Sequence, residues 1–320
     1  MNTLFEEFND IDDLAEGLNE PDAGTRIMAI IDLSESADPD VIPYLAKAIT
    51  DQDAGVRKQA AIALTDFDGA QAASALVIGL SDSEEDVRKA AAVSLTELKD
   101  PKAGDALIPK LTSQDEFVLV SCLAGIKELK RKDAMSPAIN ALTHPSASVR
   151  CEAVNVIGWL QDNAAIPALK NAAQDKIPQV RRAALTALGF NRSDHAEQIL
   201  IDGLLDEDWL VREAAAETLS KSGGADAIQH LIRTLDDEFW QVRLKSVRTL
   251  GQLGATNAAV QIGKLMSVPV PNLRKECAAA LGTLAVPDSA AFLEPFYDDS
   301  DPDVRKNVRW ALGKIAELAG

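Results

Sequence analysis

The sequence is poor in the residues from which most catalytic and metal-binding sites are built. It contains only three histidines and three cysteines, and aromatic residues make up 4% of the chain. Cys122, Cys151 and Cys277 form no C-x-x-C pair, so a disulfide framework is not expected. No histidine precedes a glutamate, and no G-x-x-x-x-G-K-[ST], G-x-G-x-x-G or G-x-S-x-G string occurs. The sequence therefore predicts neither a catalytic residue nor a cofactor or metal site, and it favours a protein that is not an enzyme.

Long apolar runs and an excess of basic residues are also missing. No apolar segment approaches the roughly 18 residues that would span a bilayer, and the N-terminus lacks the basic and apolar regions of a secretory signal. Lysine and arginine total 32 against 50 aspartates and glutamates, a formal net charge of −18, which would repel nucleic acid phosphates. We therefore expect a cytoplasmic protein that neither inserts into a membrane nor binds nucleic acid.

The residues that are abundant favour helices. Hydrophobic residues make up 47% of the chain, and alanine and leucine supply most of that share in place of aromatic residues. Both are strong helix formers, whereas the alternation of β-branched and aromatic residues that is typical of strands is scarce. The composition predicts an all-α protein.

A short string, DAGVRKQAAIAL at residues 53–64, returns along the chain with a period of 31 residues. Its arginine recurs as Arg26, Arg57, Arg88, Arg150, Arg181, Arg212, Arg243, Arg274 and Arg305, with Leu119 in the fourth of ten registers. Taking that residue as the origin, the position three residues later is nearly always small, and the position seven residues later is always a large aliphatic. So regular a period predicts a solenoid of about ten repeats.

Each repeat is predicted to contain two antiparallel helices, A and B. Positions −1, +3 and +7 lie on one face of helix B, and an apolar residue twelve before the origin lies in the core of helix A. An acid four before the origin is placed to cap helix B. These caps are Asp22, Asp53, Asp115, Asp208 and Asp301. Pro178 and Pro271 stand near the predicted first position of helix B, where proline is favoured.

The pattern D-x-x-V-R-x-x-A-x-x-x-L at this period resembles HEAT repeats, and specifically the short HEAT-like class found in phycobilisome bilin lyases. The resemblance covers residues 10 to 320 and implies one α-solenoid superhelix over residues 11–320, with residues 1–10 as an N-terminal cap. It also implies that the arginine of helix B and the turn aspartate form a ladder between repeats, which Leu119 would interrupt.

In HEAT solenoids the B helices line the concave surface, so outward positions +1, +5 and +9 form the candidate groove. Apolar residues recur there beside an acidic row, which is typical of an interface. The candidate groove residues are Ile62, Asp66, Val93, Glu97, Val120, Glu128, Cys151, Asn155, Trp159, Arg182 and Phe190. Trp159 and Phe190 share position +9 in adjacent repeats, which predicts a separation of roughly 10 Å. Trp209, Phe239 and Trp240 form a secondary edge, either as a second interface or as caps on neighbouring helix ends.

Three functions are compatible with these features. The first is a non-enzymatic scaffold, or an assembly or maturation adaptor, that holds a protein client carrying basic and apolar residues. The second, which follows from the resemblance to bilin lyases, is the binding and delivery of a tetrapyrrole. The third is an accessory role in iron–sulfur or other metalloenzyme assembly, for which Cys151 is the thiol in a suitable position.

Overall fold

All regular structure in the part of the chain that the structure describes is helical. The computed structural model describes residues 11–190 and 194–319, and it contains no strand within those ranges. This confirms the all-α prediction. None of the helices in these ranges is both long enough and apolar enough to cross a membrane. The predicted N-terminal cap, residues 1–10, lies outside the described residues.

Two helices form each of the ten repeats. The A helices are α1 (Ile11–Glu16), α3 (Ile42–Ala48), α5 (Ala70–Gly79), α7 (Gly104–Leu107), α9 (Met135–Ala141), α11 (Ile166–Ala172), α13 (Asp194–Gly203), α15 (Ala225–Arg233), α17 (Ala259–Lys264) and α19 (Ala290–Leu293). The B helices are α2 (Ala23–Glu35), α4 (Ala54–Ala63), α6 (Glu85–Glu97), α8 (Glu116–Ile126), α10 (Ala147–Leu160), α12 (Pro178–Leu188), α14 (Trp209–Thr218), α16 (Trp240–Gln252), α18 (Pro271–Leu284) and α20 (Pro302–Ala319). Short 3-10 turns adjoin many of these helices.

The repeats fall into two compact units, Met1–Leu160 and Gln161–Gly320. In the first unit each B helix from α2 to α10 packs on the next, and α3, α5 and α7 form a parallel row of A helices. In the second unit α12 to α20 form the row of B helices, with the A helices beside them. A continuous single domain over residues 11–320 stays a prediction.

The core follows the predicted register. All ten residues at position +3 are buried, and so are nine of the ten at position +7. Small residues at +3 let neighbouring helices approach, and the aliphatic side chains at +7 fill the space between them. Leu312 is the exception at +7 and is half-buried. α20 packs against α18 and α19.

The predicted helix caps are confirmed. Each of the five turn aspartates accepts a backbone N–H from the first turn of its helix B, and these are Asp22, Asp53, Asp115, Asp208 and Asp301. Pro178 and Pro271 are the first residues of α12 and α18. The bonds satisfy backbone donors that would otherwise lack a partner at a helix start.

In five repeats the arginine at the origin forms two sets of bonds, one within its own turn and one to the following repeat. Nη1 of Arg57 donates to the carbonyls of Asp51 and Gln52 at 2.9 and 3.3 Å, which fixes the turn of its own repeat. Nε and Nη2 donate to the carboxylate of Asp82 in the following repeat at 2.6 and 2.8 Å. Four other pairs repeat this arrangement: Arg26 with Asp51, Arg181 with Asp206, Arg212 with Asp237 and Arg274 with Asp299.

The aspartate of the ladder differs from the turn aspartate singled out in the sequence. It lies six residues before the origin, whereas the capping aspartate lies four before it. The carboxylate of Asp82 receives Arg57 and also the backbone N–H of Glu84 at 2.9 Å, while the oxygens of capping residues such as Asp53 face the N–H groups of helix B. The sequence carried this signal, because aspartate recurs at −6 as Asp51, Asp82, Asp175, Asp206, Asp237 and Asp299.

Three repeats depart from the ladder, those of Arg88, Leu119 and Arg243. The residue at the acceptor position of Arg243 is Val268, and the buried Nε of Arg243 has no hydrogen-bond partner among the described residues. Arg88 was expected to stack with the others, but Ser113 stands at its acceptor position, and Arg88 forms no ion pair within the described ranges. Its Nη1 donates to two carbonyls of its own turn, and its guanidinium lies 6.0 Å from the ring of Phe117. In the next repeat Leu119 is buried, and the residue at its acceptor position is His144. Nδ1 of His144 accepts the N–H of Ser146 at 3.1 Å, as an aspartate oxygen does elsewhere.

Candidate protein-binding surface

The outward positions of the B helices in the first unit carry apolar and acidic residues side by side. We call this surface the B face and define it by Ile62, Asp66, Val93, Glu97, Val120 and Glu128. Ile62 in α4 is 44% exposed and Val93 in α6 is 64% exposed, whereas Val120 in α8 is half-buried. The three acids are exposed. Aliphatic side chains therefore meet solvent beside a row of carboxylates.

The acids of the B face lie at the C-terminal ends of their helices. Glu97 is the last residue of α6, and Asp66 and Glu128 lie in the 3-10 turns that continue α4 and α8. Glu128 is paired with Nζ of Lys99 at 2.9 Å, and the hydrogen bond from Lys99 lowers the pKa of Glu128. Neither Asp66 nor Glu97 forms an ion pair with any described residue. The negative charge of the row is thus only partly neutralised.

Lysines stand beside the apolar residues at position +1 in α4 and α6, whereas Val120 occupies that position in α8. Nζ of Lys58 lies 2.8 Å from Asp86 of the next repeat, and Nζ of Lys89 lies 2.6 Å from Glu85 of its own helix. These lysine charges are matched by their own partners. In α4 and α6 the surface consequently changes from neutral at +1 to apolar at +5 and acidic at +9.

In the fifth repeat Trp159 lies at position +9, which the acids occupy in the preceding three repeats. Trp159 is 37% exposed, and Nζ of Lys130 lies 5.9 Å from the centroid of its ring. Lys130 occupies the same register as Lys99, so Trp159 stands where Glu128 stands one repeat earlier. On the same helix Cys151 and Asn155 are half-buried, and Nδ2 of Asn155 donates to Glu152 at 3.2 Å.

The remaining predicted groove residues belong to the second unit. Phe190 is 44% exposed, and Nζ of Lys221 lies 4.7 Å from its ring centroid. Arg182 is exposed on α12. A positive charge over an aromatic face is a favourable contact that a ligand can also use. The roles of Trp159 and Phe190 in binding stay predictions for each unit by itself.

The secondary edge is a stack of rings at the start of two B helices. Trp209 and Phe239 have centroids 5.2 Å apart and planes at 10° to each other. The guanidinium of Arg212 lies 5.8 Å from the Phe239 ring, and its bond to Asp237 raises the pKa of Arg212. Trp240 is the first residue of α16 and is half-buried. This packing matches rings that cover a neighbouring helix end, while a second interface here stays a prediction.

The three thiols differ in burial. Cys122 and Cys277 are buried, and burial raises the pKa of both thiols, that of Cys122 to about 12. Cys151 is the half-buried thiol. No group of three or more histidine, cysteine, aspartate or glutamate side chains gathers at metal-binding distances within the described residues.

Sequence reasoning missed an apolar groove on the other side of the first unit. It lies between α3 and α5, has a volume of about 380 Å³ and is lined by Ile42, Pro43, Ala46, Ser74 and Ile78 among others. Ile78 is 54% exposed. The available signal was the absence of any charged residue from position 69 to position 81.

Comparisons with known proteins agree with this architecture. The family model of HEAT repeats matches residues 11–96, 104–179, 171–238 and 230–313. Among curated proteins no sequence matches the chain significantly.

Three solved structures share the fold at low sequence identity. An engineered protein is 22% identical with a TM-score of 0.50, and the match covers 97% of this chain and 99% of that one. Importin beta is 14% identical with a TM-score of 0.67, over 96% of this chain and 52% of that one. Kap95p, in a study of its binding to RanGDP, is 14% identical with a TM-score of 0.65, over 96% and 50%. The chain spans about half the length of the importin beta and Kap95p chains.

Proposed function

The chain belongs to the HEAT-repeat family, and from that premise we propose that it is a protein-binding scaffold. Its B face, in the first unit, holds a client segment that carries basic and apolar residues. More specifically, we propose that the protein is an assembly or maturation adaptor that acts in the cytoplasm.

The observation that carries the proposal is the placement of Asp66, Glu97 and Glu128. A helix has a partial negative charge at its C-terminus, where carboxylates are disfavoured and lysine or arginine is favoured. In α4 and α6 no basic residue occupies the last turn, and an acid follows or ends each helix. Local violations of this kind are expected at functional sites, where binding outweighs stability.

The apolar residues of the B face support the same function. Ile62 and Val93 expose a large share of their side chains one helical turn away from Asp66 and Glu97. A partner with aliphatic and cationic groups would bury the exposed apolar side chains and neutralise the carboxylates beside them. An apolar row with a charged border is typical of an interface.

The structural neighbours are compatible with protein binding. Kap95p binds RanGDP and induces its switch loops to adopt the GTP-bound conformation. A stack of helices of this type can therefore present a surface to another protein. Tetrapyrrole delivery and metalloenzyme assembly stay predictions from the sequence, and no contact in the structure favours them over protein binding.

A photo-crosslinking amino acid placed at Val93 tests the proposal in the cells that make the protein. We expect crosslinks to a second protein at Val93 and none from the same amino acid at Ser136, which is exposed on α9. Changing Asp66, Glu97 and Glu128 together to the corresponding amides should reduce the yield of the Val93 product. Equal products from Val93 and Ser136 would overturn the proposal.

A further inference from the structure

The rows on the B face have a spacing that is set by helix packing. α4 packs on α6, and α6 packs on α8. Packed helices have axes about 8–10 Å apart, so equivalent residues of successive repeats recur at about that distance. This spacing applies to Ile62 and Val93 in the apolar row and to the three acids in the other row.

The distance between the apolar row and the acidic row is smaller than the distance between successive repeats. Positions +5 and +9 are four residues apart on one helix, which corresponds to about 6 Å along its axis. Position +1, with Lys58 and Lys89, lies about 6 Å to the other side of the apolar row. A cationic segment therefore fits over the apolar and acidic rows, whereas Asp86 and Glu85 beside position +1 are already paired with Lys58 and Lys89.

Backbone conformations differ in how well they match these two dimensions. A polyproline II segment has three residues per turn and rises about 3.1 Å per residue, so every third side chain points the same way at intervals of about 9 Å. A β-strand repeats its side-chain direction every two residues, at about 6.7 Å, and loses register with the rows. An α-helix is about 10–12 Å in diameter and would cover the lysines as well.

We propose that the occupant of the B face is an extended polyproline II segment of a protein client, crossing α4, α6 and α8, with an apolar and a basic residue in every triplet. This inference rests on the proposed function. Successive apolar residues contact Ile62 and Val93, and successive basic residues approach Asp66 and Glu97. Because Lys99 already neutralises Glu128, two triplets form the core of the binding segment.

Three synthetic peptides of twelve residues distinguish the possible occupants. The first contains four copies of the triplet leucine–lysine–proline, and the second has the same composition in shuffled order. The third contains four leucines, four lysines and four alanines in an order that forms an amphipathic α-helix. Circular dichroism establishes the conformation of each peptide, and fluorescence anisotropy measures its binding to the full chain.

We expect the triplet peptide to bind at least tenfold more tightly than the shuffled and helical peptides. The double variant Asp66→Asn, Glu97→Gln should lose at least tenfold in affinity for it. The control variant Glu16→Gln, Asp40→Asn removes two exposed acids elsewhere in the first unit and should bind as the wild type does.

Each alternative result has a defined meaning. Equal binding of the shuffled peptide would show that the register does not matter and overturn the inference. Tighter binding of the helical peptide would replace the extended segment by a helix and leave the scaffold proposal intact. Failure of all three peptides would also overturn the inference, whereas the scaffold proposal itself depends on the crosslinks from Val93.

Discussion

Arg57 and Asp82 lie 25 residues apart in the sequence and form a two-pronged ion pair, with Nε and Nη2 at 2.6 and 2.8 Å from the two carboxylate oxygens. Nη1 of the same guanidinium holds two carbonyls of its own turn. One side chain thus fixes a turn and attaches the next repeat to it. The planar, multiply donating guanidinium suits this double role, and a lysine could not replace it.

Removing the charge of Asp82 should destabilise the fold. Asp82→Asn replaces an acceptor that faces Nε or Nη2 of Arg57 with a donor, and we expect a loss of about 1–3 kcal/mol in the free energy of unfolding. The measurement is urea unfolding followed by circular dichroism. Asp53→Asn is the matched control, because asparagine caps a helix about as well as aspartate does, so its effect should be small. Equal losses from both variants would contradict the ladder's contribution.

Acid should weaken the same ladder. Hydrogen bonds from Arg57 and Arg274 hold the pKa values of Asp82 and Asp299 below the usual value for aspartate. In the unfolded chain these groups titrate near pH 4, so their contribution is present above about pH 4 and is lost as the pH falls through the lower folded-state pKa values.

The free energy of unfolding is therefore expected to decrease steadily from pH 5 to pH 3. Asp82→Asn removes one titrating group and should make that dependence shallower. The measurement is a series of urea titrations across this range. A wild-type stability that does not change between pH 5 and pH 3 would show that these pairs contribute nothing.

Two residues near the C-terminal end of α4 should respond very differently to truncation. Leu64 follows the last residue of α4 and is fully buried, so Leu64→Ala should cost about 2–5 kcal/mol of unfolding free energy. Ile62, two residues earlier, is 44% exposed, and Ile62→Ala should change stability by less than about 1 kcal/mol. Similar losses, measured by urea unfolding, would mean that the repeat register is wrong.

The acidic row should govern how quickly a client associates. Changing Asp66, Glu97 and Glu128 to amides is expected to slow association with the segment crosslinked at Val93 and to reduce its dependence on salt. Stopped-flow fluorescence at several ionic strengths measures both effects. The control changes Glu16, Asp40 and Glu84, which are exposed acids outside the B face. Equal association rates of the two triple variants would show that the acidic row does not speed association with the client.

The three thiols should differ in reactivity towards a maleimide. The thiolate is the reacting form, and burial raises the pKa values of Cys122 and Cys277. Cys151 is half-buried and should be modified first in the native protein at neutral pH, with all three modified in urea. Mass spectrometry of the labelled peptides provides the readout. Native labelling of Cys122 as fast as that of Cys151 would contradict the burial of Cys122.

The sequence by itself determined the helical repeats and their core. The period of 31 residues fixes which positions face the interior, because a small residue at +3 and an aliphatic one at +7 must lie on one side of a helix with 3.6 residues per turn. It also predicted the capping aspartates and identified Ile62, Val93 and the acidic row as outward-facing. These properties depend on neighbours within one or two turns of the chain.

Contacts between repeats were decided only by the tertiary structure. Whether Arg57 bonds to Glu84, at −4 of the next repeat, or to Asp82, at −6, depends on where two turns meet in space, and acids recur at both positions with the same period. Two further features depend on side chains from an adjacent repeat. Arg88 has no acidic partner among the described residues, and Val120 is partly buried. Local periodicity specifies the face on which a residue lies, and packing between helices specifies the atoms that it touches.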